Sequence, residues 1–173
     1  MSAFRVGSGF DAHRLAPGRP LMLGGIEVPF SRGLEGHSDG DCLVHAICDA
    51  LLGAAAAGDM GRHFPSSDPR WKGAASRLFL EETSRLVSAA GFVVENVDAT
   101  VVAEAPALAP YLEAMRKSVA AALKTDLGSV SIKAKSTDGL GAIGRGDGMA
   151  ATAVVLLRRS NERTTSATEN LKT

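Results

Sequence analysis

Three side chains in the first part of the sequence carry donor atoms of the kind that hold a metal ion. Asp11 and His13 stand in Gly9-Phe10-Asp11-Ala12-His13, and His45 follows the run His37-Ser38-Asp39-Gly40-Asp41-Cys42. On a strand, residues two apart share a face, so Asp11 and His13 point the same way, about 7 Å apart along the chain. Two imidazoles and one carboxylate suit zinc and leave a fourth position open for substrate. The bland reading is a solvated carboxylate with surface imidazoles, and spacing alone leaves both open. Asp49, one helical turn after His45, can orient that ring or simply face water. His37 and Ser38 can hydrogen-bond an anion or stay wet. Gly58-Asp59-Met60-Gly61 turns sharply, and amides between glycines can hold phosphate oxygens, but so short a Gly-x-x-Gly is a weak signal.

To bring these residues together the chain needs a strand, a helix and the loops between them. Phe4 to His13 alternates weakly and reads as a strand, in which Gly7 and Gly9 hint at close approach or irregular geometry. Leu43, Ala46, Ile47, Ala50, Leu51 and Ala54 recur at helical spacing and predict a helix with one stripe toward a core. Asp41, His45 and Asp49, four apart, form a second, polar stripe. Asp39 or Asp41 can cap the helix's free amides. Leu21 to Phe30, broken by Gly24-Gly25, reads as a short hairpin.

Ser66 to Gly73, with Asp68 and Trp71, reads as a surface loop with room to move. Ser76 starts a second helix with Phe79, Leu80, Leu86, Val87 and Ala90 inward, stopped by Gly91. Phe92 to Glu104 is a strand that Ala105-Pro106 ends. Pro106 suits the first turn of a third helix, striped by Leu108, Leu112, Met115, Val119 and Leu123. Val130, Ile132 and Ala134 mark another strand, with Lys133 and Lys135 opposite, and a hydroxyl- and Gly-rich loop, Ser136 to Gly141, leaves it. Met149 to Leu157 is apolar on both faces, as in a strand that is central or covered by a partner subunit.

At 173 residues the chain is most simply one domain with a real core. We place that domain over 1–157 and read 158–173 as a polar, disordered tail. Lys plus Arg equals Asp plus Glu, 19 each, and aromatics make up 5%. Nucleic acid therefore meets neither a basic field nor stacking platforms. No apolar run approaches the roughly 20 residues that span a bilayer, and the N-terminus enters a strand pattern without a leader, so the cytoplasm is the expected compartment. Cys42 and Cys48 on one helix would sit about 9 Å apart, too far for a disulfide.

The motifs together resemble the 2-C-methyl-D-erythritol 2,4-cyclodiphosphate synthase family. The resemblance rests on Gly9-Phe10-Asp11-Ala12-His13, His37-Ser38-Asp39-Gly40-Asp41, His45-Ala46, Asp49 to Ala54, Gly58-Asp59-Met60-Gly61, Phe64-Pro65, Ala105-Pro106, Leu140-Gly141 and Gly144-Arg145-Gly146, and covers about residues 4 to 157. It implies an α/β (α+β) protomer with a mixed sheet covered by helices on one face. Three such sheets would pack around the threefold axis of a homotrimer, with active sites between subunits. The implied reaction is attack of a substrate's 2-phosphate on the β-phosphoryl group of its own cytidine diphosphate, expelling CMP and closing a cyclic diphosphate. Positioning and charge carry such chemistry, without a protein nucleophile.

Carried over residue by residue, the resemblance gives Asp11, His13 and His45 to zinc. It gives His37 and Ser38 to the phosphates and methylerythritol moiety, with His37 near the transition state. Asp59 and Gly61 bind methylerythritol, with the loop from Phe64 to Asp68 closing nearby. Ala103, Ala105, Pro106 and Leu108, with Ala134 and Lys135, form the cytidine pocket. Ser136 steadies the transition state, Asp138 meets magnesium or manganese on the diphosphate, and Arg145 lines the substrate region or central cavity. Some positions depart from the family. Asp138 replaces a common glutamate, Ser136 a common threonine, and Ala107 a lysine found in some members. Ser66 replaces an acid, while Ala142 and Thr152 stand where some members place an aromatic and a glutamate. Two other readings share these residues: a non-catalytic trimer binding zinc and a nucleotide or prenyl diphosphate, and a zinc hydrolase with Asp49 or His37 as base.

Overall fold

The computed structural model describes residues 3–160. Strand β1 (Phe4–Pro17) is the longest element of its sheet, and beyond it come the short strands β2 (Leu21–Leu23), β3 (Ile26–Val28) and β4 (Arg32–Leu34). The helix that carries His45, α1 (Cys42–Ala54), and a single turn, α2 (Met60–His63), follow. Then come α3 (Ser76–Ala89), β5 (Phe92–Val102), α4 (Leu112–Leu123), β6 (Val130–Lys135), a short α5 (Gly141–Gly144) and β7 (Gly148–Arg159).

Five strands form one mixed sheet in the order β4-β1-β7-β5-β6, and β2 with β3 makes the separate hairpin expected around Gly24-Gly25. β7 runs antiparallel to both its neighbours, and β5 and β6 are parallel. The doubly apolar strand is therefore central. It also runs through Arg158 and Arg159, whose amide reaches Ala3 O, so the expected strand end at Leu157 falls two residues short. The remainder of the expected disordered tail, 161–173, lies outside the described residues.

Helices α1, α3 and α4 cover one face of the sheet, as the alternation of its strands requires. Helix α1 packs on β1 and β7, α3 on α1, and α4 on α3 and β6. Met115, Met149, Leu43, Ile47 and Leu51 are fully buried between these layers. The opposite face stays open in the single chain: Val6 is 70% exposed and Phe10 67%, with Phe4 and Val154 beside them. Helix α1 is buried more completely than a single stripe requires, since Cys42, Val44, Cys48 and Leu52 are also inside.

Two expectations need correction. Pro106 does not open a helix: the Ala105–Pro106 bond is cis, and the proline at the next helical turn is Pro110, in Ala109–Tyr111 just before α4. Ala90 is exposed and Leu86 only half-buried, so the inward stripe of α3 is Ser76, Phe79, Leu80, Thr83 and Val87. Gly91, with φ +80, ends α3 as expected, in the left-handed conformation that suits glycine after a helix.

Candidate metal centre and substrate site

The centre forms where β1 crosses α1. Odd-numbered residues of β1 face the helix, and at Gly7 and Gly9 there is no room for a side chain. A Cβ on Gly9 would lie 2.0 Å from Ala46 O, and one on Gly7 2.0 Å from Ala50 O. The glycines let strand and helix touch backbone to backbone, so the next odd residues, Asp11 and His13, reach the helix face that carries His45.

Three donor atoms converge there. Asp11 Oδ2 lies 2.8 Å from His13 Nε2 and 2.9 Å from His45 Nδ1, and the two nitrogens are 3.2 Å apart. Bond lengths of about 2.0–2.2 Å to a tetrahedral zinc put donor atoms about 3.3–3.6 Å from one another. The observed triangle is a few tenths of an ångström tighter, and its donor set of two imidazoles and one carboxylate suits zinc. The residues present fit a divalent ion. Burial alone would raise the Asp11 carboxyl, but hydrogen bonds and charge from His13 and His45 outweigh it and hold the group well below the usual carboxylate range. For His45 burial opposes the charged form, and the hydrogen bond and charge of Asp11, with the charges of Asp41 and Asp39, raise the imidazole nonetheless.

The expected polar stripe on α1 divides into three different environments. Asp41 is fully buried. It caps α1 by accepting from Val44 N at 3.0 Å, and it takes the amides of Gly24 (3.0 Å) and Gly25 (2.7 Å) from the β2–β3 turn. Asp49 does not orient His45. Its Oδ1 accepts from Met60 N at 2.8 Å and so fixes the start of α2. The outer nitrogen of His45, Nε2, instead meets Ser76 Oγ at 2.9 Å and Ser38 Oγ at 3.2 Å. Ser76 is bound in turn to Asp39. Ser76 and Asp39 lie 37 residues apart, and only the docking of α3 on α1 brings them together.

Around the triad the loops are pinned. The Arg19 guanidinium donates to Gly36 O and Ser38 O, and Gly73 N donates to His37 O at 2.8 Å, leaving the His37 side chain exposed. Asp59 is exposed and caps α2 through Arg62 N at 3.0 Å, with Gly61 in the turn behind it. Phe64 is buried, 5.2 Å from Trp71 and 5.0 Å from Phe79 between ring centroids. Its ring belongs to the core. The 66–73 loop is thereby anchored at Trp71, and Asp68 is taken by Arg70.

The remaining expected residues gather at the ends of the parallel pair. Ala103 N donates to Lys135 O at 2.9 Å, so the segment from Ala103 through Ala105, Pro106 and buried Leu108 runs beside Ala134, Lys135 and Ser136. Ser136 Oγ donates to Asp138 Oδ1 at 3.2 Å, and Asp138 adopts φ +50. Through β7, Asp11 is level with Val101, since both pair with Ala151. Both groups of residues therefore lie toward the same end of the sheet, with β7 between β1 and β5. Among the described residues no hydrogen bond or ion pair joins Ser136, Asp138 or Arg145 to the triad; Arg145 pairs with Asp147 at 3.1 Å.

Comparison with known proteins agrees with this architecture. The family model described as the YgbB family matches residues 4–158. A curated 2-C-methyl-D-erythritol 2,4-cyclodiphosphate synthase of Burkholderia mallei is 54% identical over 156 residues, 90% of this chain and 96% of that protein. The solved bifunctional IspDF from Campylobacter jejuni superposes with a TM-score of 0.87 at 39% identity, over 90% of this chain and 42% of that one. The CDP complex of IspF from Plasmodium falciparum superposes with a TM-score of 0.82 at 29% identity, over 93% of this chain and 99% of that one. With a match that runs from the start of β1 almost to the end of β7, the chain belongs to the YgbB family.

Proposed function

We propose that the protein closes 4-diphosphocytidyl-2-C-methyl-D-erythritol 2-phosphate into 2-C-methyl-D-erythritol 2,4-cyclodiphosphate with release of CMP, in the methylerythritol phosphate route of isoprenoid biosynthesis. The observation that carries the reading is the convergence of Asp11, His13 and His45 in a chain 54% identical to curated synthases of that name. The cytidine diphosphate seen in a structural relative supports a pyrimidine nucleotide as part of the substrate.

Asp11, His13 and His45 would hold zinc. When bound, that ion supplies positive charge to diphosphate oxygens. Everything else is positioning. His37, exposed at the rim, donates to the phosphate oxygens as charge shifts during attack. Ser38 borders the same oxygens, and Asp59 with the backbone of Gly61 takes the methylerythritol hydroxyls. The backbone of Phe64 and the turn at Asp68 close the side of that pocket. Cytosine fits against the backbone of Ala103, Ala105, Pro106 and Leu108, with Ala134 and Lys135 as the second wall. Ser136 donates its hydroxyl to the phosphoryl group under attack, and Asp138 would hold magnesium or manganese with the diphosphate. Arg145 adds a positive charge near the substrate or the central cavity.

In one chain β7 separates the triad from the cytidine wall, and the sheet face carrying Val6 and Phe10 is bare. A homotrimer in which these faces meet on the axis, with each site between neighbours, covers that face and completes the site. The compartment is the cytoplasm.

Phosphorus NMR of the protein with that substrate and magnesium, with and without a zinc chelator, tests the reading. A cyclic diphosphate beside equimolar CMP, lost on chelation, is the expected result. An unchanged substrate spectrum would overturn catalysis, and an open-chain diphosphate would indicate a hydrolase instead.

A further inference from the structure

His45 presents two nitrogens to two different environments. Nδ1 faces the donor triangle, and Nε2 faces away from it, 2.9 Å from Ser76 Oγ. Ser76 is completely buried at the first position of α3. Its amide donates to Asp39 Oδ2 at 2.8 Å, and its hydroxyl is hydrogen-bonded to Asp39 Oδ1.

The direction of this chain follows from its donors and acceptors. An ionised carboxylate only accepts, so the Ser76 hydroxyl proton points to Asp39 and its oxygen lone pair is left for the imidazole. A hydrogen bond across that gap then requires the His45 proton on Nε2. In the metal-free protein Nδ1 also meets Asp11 Oδ2, at 2.9 Å; an ion displaces the Nδ1 proton, and the imidazole that keeps its proton on Nε2 is the form that ligates a metal through Nδ1. Neither of the other carboxylates on α1 or at its start performs this task, because Asp49 is engaged with Met60 N and Asp41 with three backbone amides. Ser38 Oγ, at 3.2 Å, is a longer second acceptor for the same proton.

We propose that Asp39 and Ser76 are a positioning pair for the metal centre, holding His45 in the tautomer and ring orientation that leave Nδ1 free to bind the ion. The pair ties the register of α3 to the centre. Asp39 caps the first turn of that helix with the same carboxylate that orders the serine. The inference rests on the metal reading of the triad and needs no assumption about the substrate.

The pair makes an unusual demand on its isostere. In Asp39→Asn the amide oxygen must serve one of two backbone donors, and the shorter contact, Ser76 N at 2.8 Å against Asp41 N at 3.2 Å, sets it at the Oδ2 place. The side-chain NH2 then faces the Ser76 hydroxyl and donates to it. The hydroxyl proton is turned toward His45 Nε2, favouring a proton on Nδ1, the wrong nitrogen for a ligand. Ser76→Ala removes the acceptor without reversing it. The conservative asparagine is therefore expected to harm metal binding more than the deletion.

Zinc affinity of the full-length parent, Asp39→Asn and Ser76→Ala proteins is measured by competition with a chromophoric chelator, alongside circular dichroism of the metal-free forms. Asp39→Asn is expected to weaken zinc by about 10- to 100-fold, and by more than Ser76→Ala does. A loss below tenfold in a folded Asp39→Asn protein, or a larger loss in Ser76→Ala, overturns the proposal. Nitrogen-15 NMR of the zinc-loaded proteins gives a second readout, which decides if the asparagine variant does not fold. The parent is expected to show a slowly exchanging proton on His45 Nε2 that Ser76→Ala shifts and exposes to exchange; an identical signal in both overturns the pair. Absence of zinc binding by the parent would instead overturn the metal reading itself.

Discussion

Placing a methyl group on Gly9 tests whether the β1–α1 contact builds the metal centre. The ideal Cβ would lie 2.0 Å from Ala46 O and 2.8 Å from Ala50 N, both backbone atoms of α1 that no rotamer change can move. Restoring even a tight contact of 3.0 Å requires strand and helix to separate by about 1 Å at this point. Gly9 is two residues from Asp11, whose Oδ2 is 2.9 Å from His45 Nδ1. A metal site keeps its ligand distances to within about 0.2 Å, so a shift of that size pulls the strand ligands out of reach of the helix ligand. Overpacking costs about 1–3 kcal/mol, and each kcal/mol lowers the melting temperature of a domain of this length by about 2–4 °C. Gly9→Ala is expected to melt a few degrees lower and to lose most of its zinc on dialysis against a weak chelator. Gly7→Ala is the control. Its Cβ would lie equally close, 2.0 Å from Ala50 O, but four residues from Asp11, so it should lose similar stability and keep more zinc. A Gly9→Ala protein with parental melting and full zinc would refute the reasoning, as would zinc lost from Gly7→Ala alone.

His45→Ala should retain its fold by circular dichroism while zinc falls from one per chain to none; equal zinc in mutant and parent would remove His45 from the ligand set. In the metal-free protein the stabilisation from the raised His45 pKa is complete below the ordinary 6.5 and fades as pH rises through the raised value. That from the lowered Asp11 pKa is complete above 3.8 and fades as pH falls through the lowered value. Metal must displace the His45 proton, so the gain in melting temperature on adding zinc should grow between about pH 5 and pH 8; a gain that is flat or falls with pH contradicts this. Val6→Lys places a charge in the middle of the open sheet face and should reduce the mass seen by light scattering from that of the proposed trimer to that of a single chain. An unchanged mass would place the subunit contact elsewhere.

The three donors were each legible as members of a local period, and the family resemblance joined them as a candidate ligand set. Asp11 and His13 share a face through the two-residue repeat of a strand, and His45 lies on a helix whose apolar residues announce it. Gly7 and Gly9 were equally legible as a close approach, since glycine inside a strand has few other reasons to be there. The environment of each carboxylate was not. Asp41 and Asp49 share the helical period of His45, yet one is buried beneath the β2–β3 turn and the other holds the first amide of α2. Periodicity reports which face a residue occupies, and the partner on that face comes from another element. Ser76 and Asp39 illustrate the same limit: as letters they are a helix start and a loop acid, and the 37 residues between them hide the contact. A serine at the start of a helix reads as an ordinary cap, whereas the carboxylate that serves its amide comes from across the site.

The burial of α1 has a consequence for the dynamics of the protein. Ten of its thirteen residues are inside, and it touches the two longest strands and a second helix. Its amides should be among the slowest to exchange with solvent, opening only when the whole domain does. A ligand carried by such an element cannot be released by a local fluctuation. An ion held by His45 is then felt as a global stabiliser: at a hundred times its dissociation constant it adds about 2.7 kcal/mol to every opening that exposes α1. Deuterium uptake would show this as a uniform slowing of about a hundredfold through α1, β1 and β7, while the exposed loop at Ser136 to Gly141 exchanges at the same rate with or without the metal.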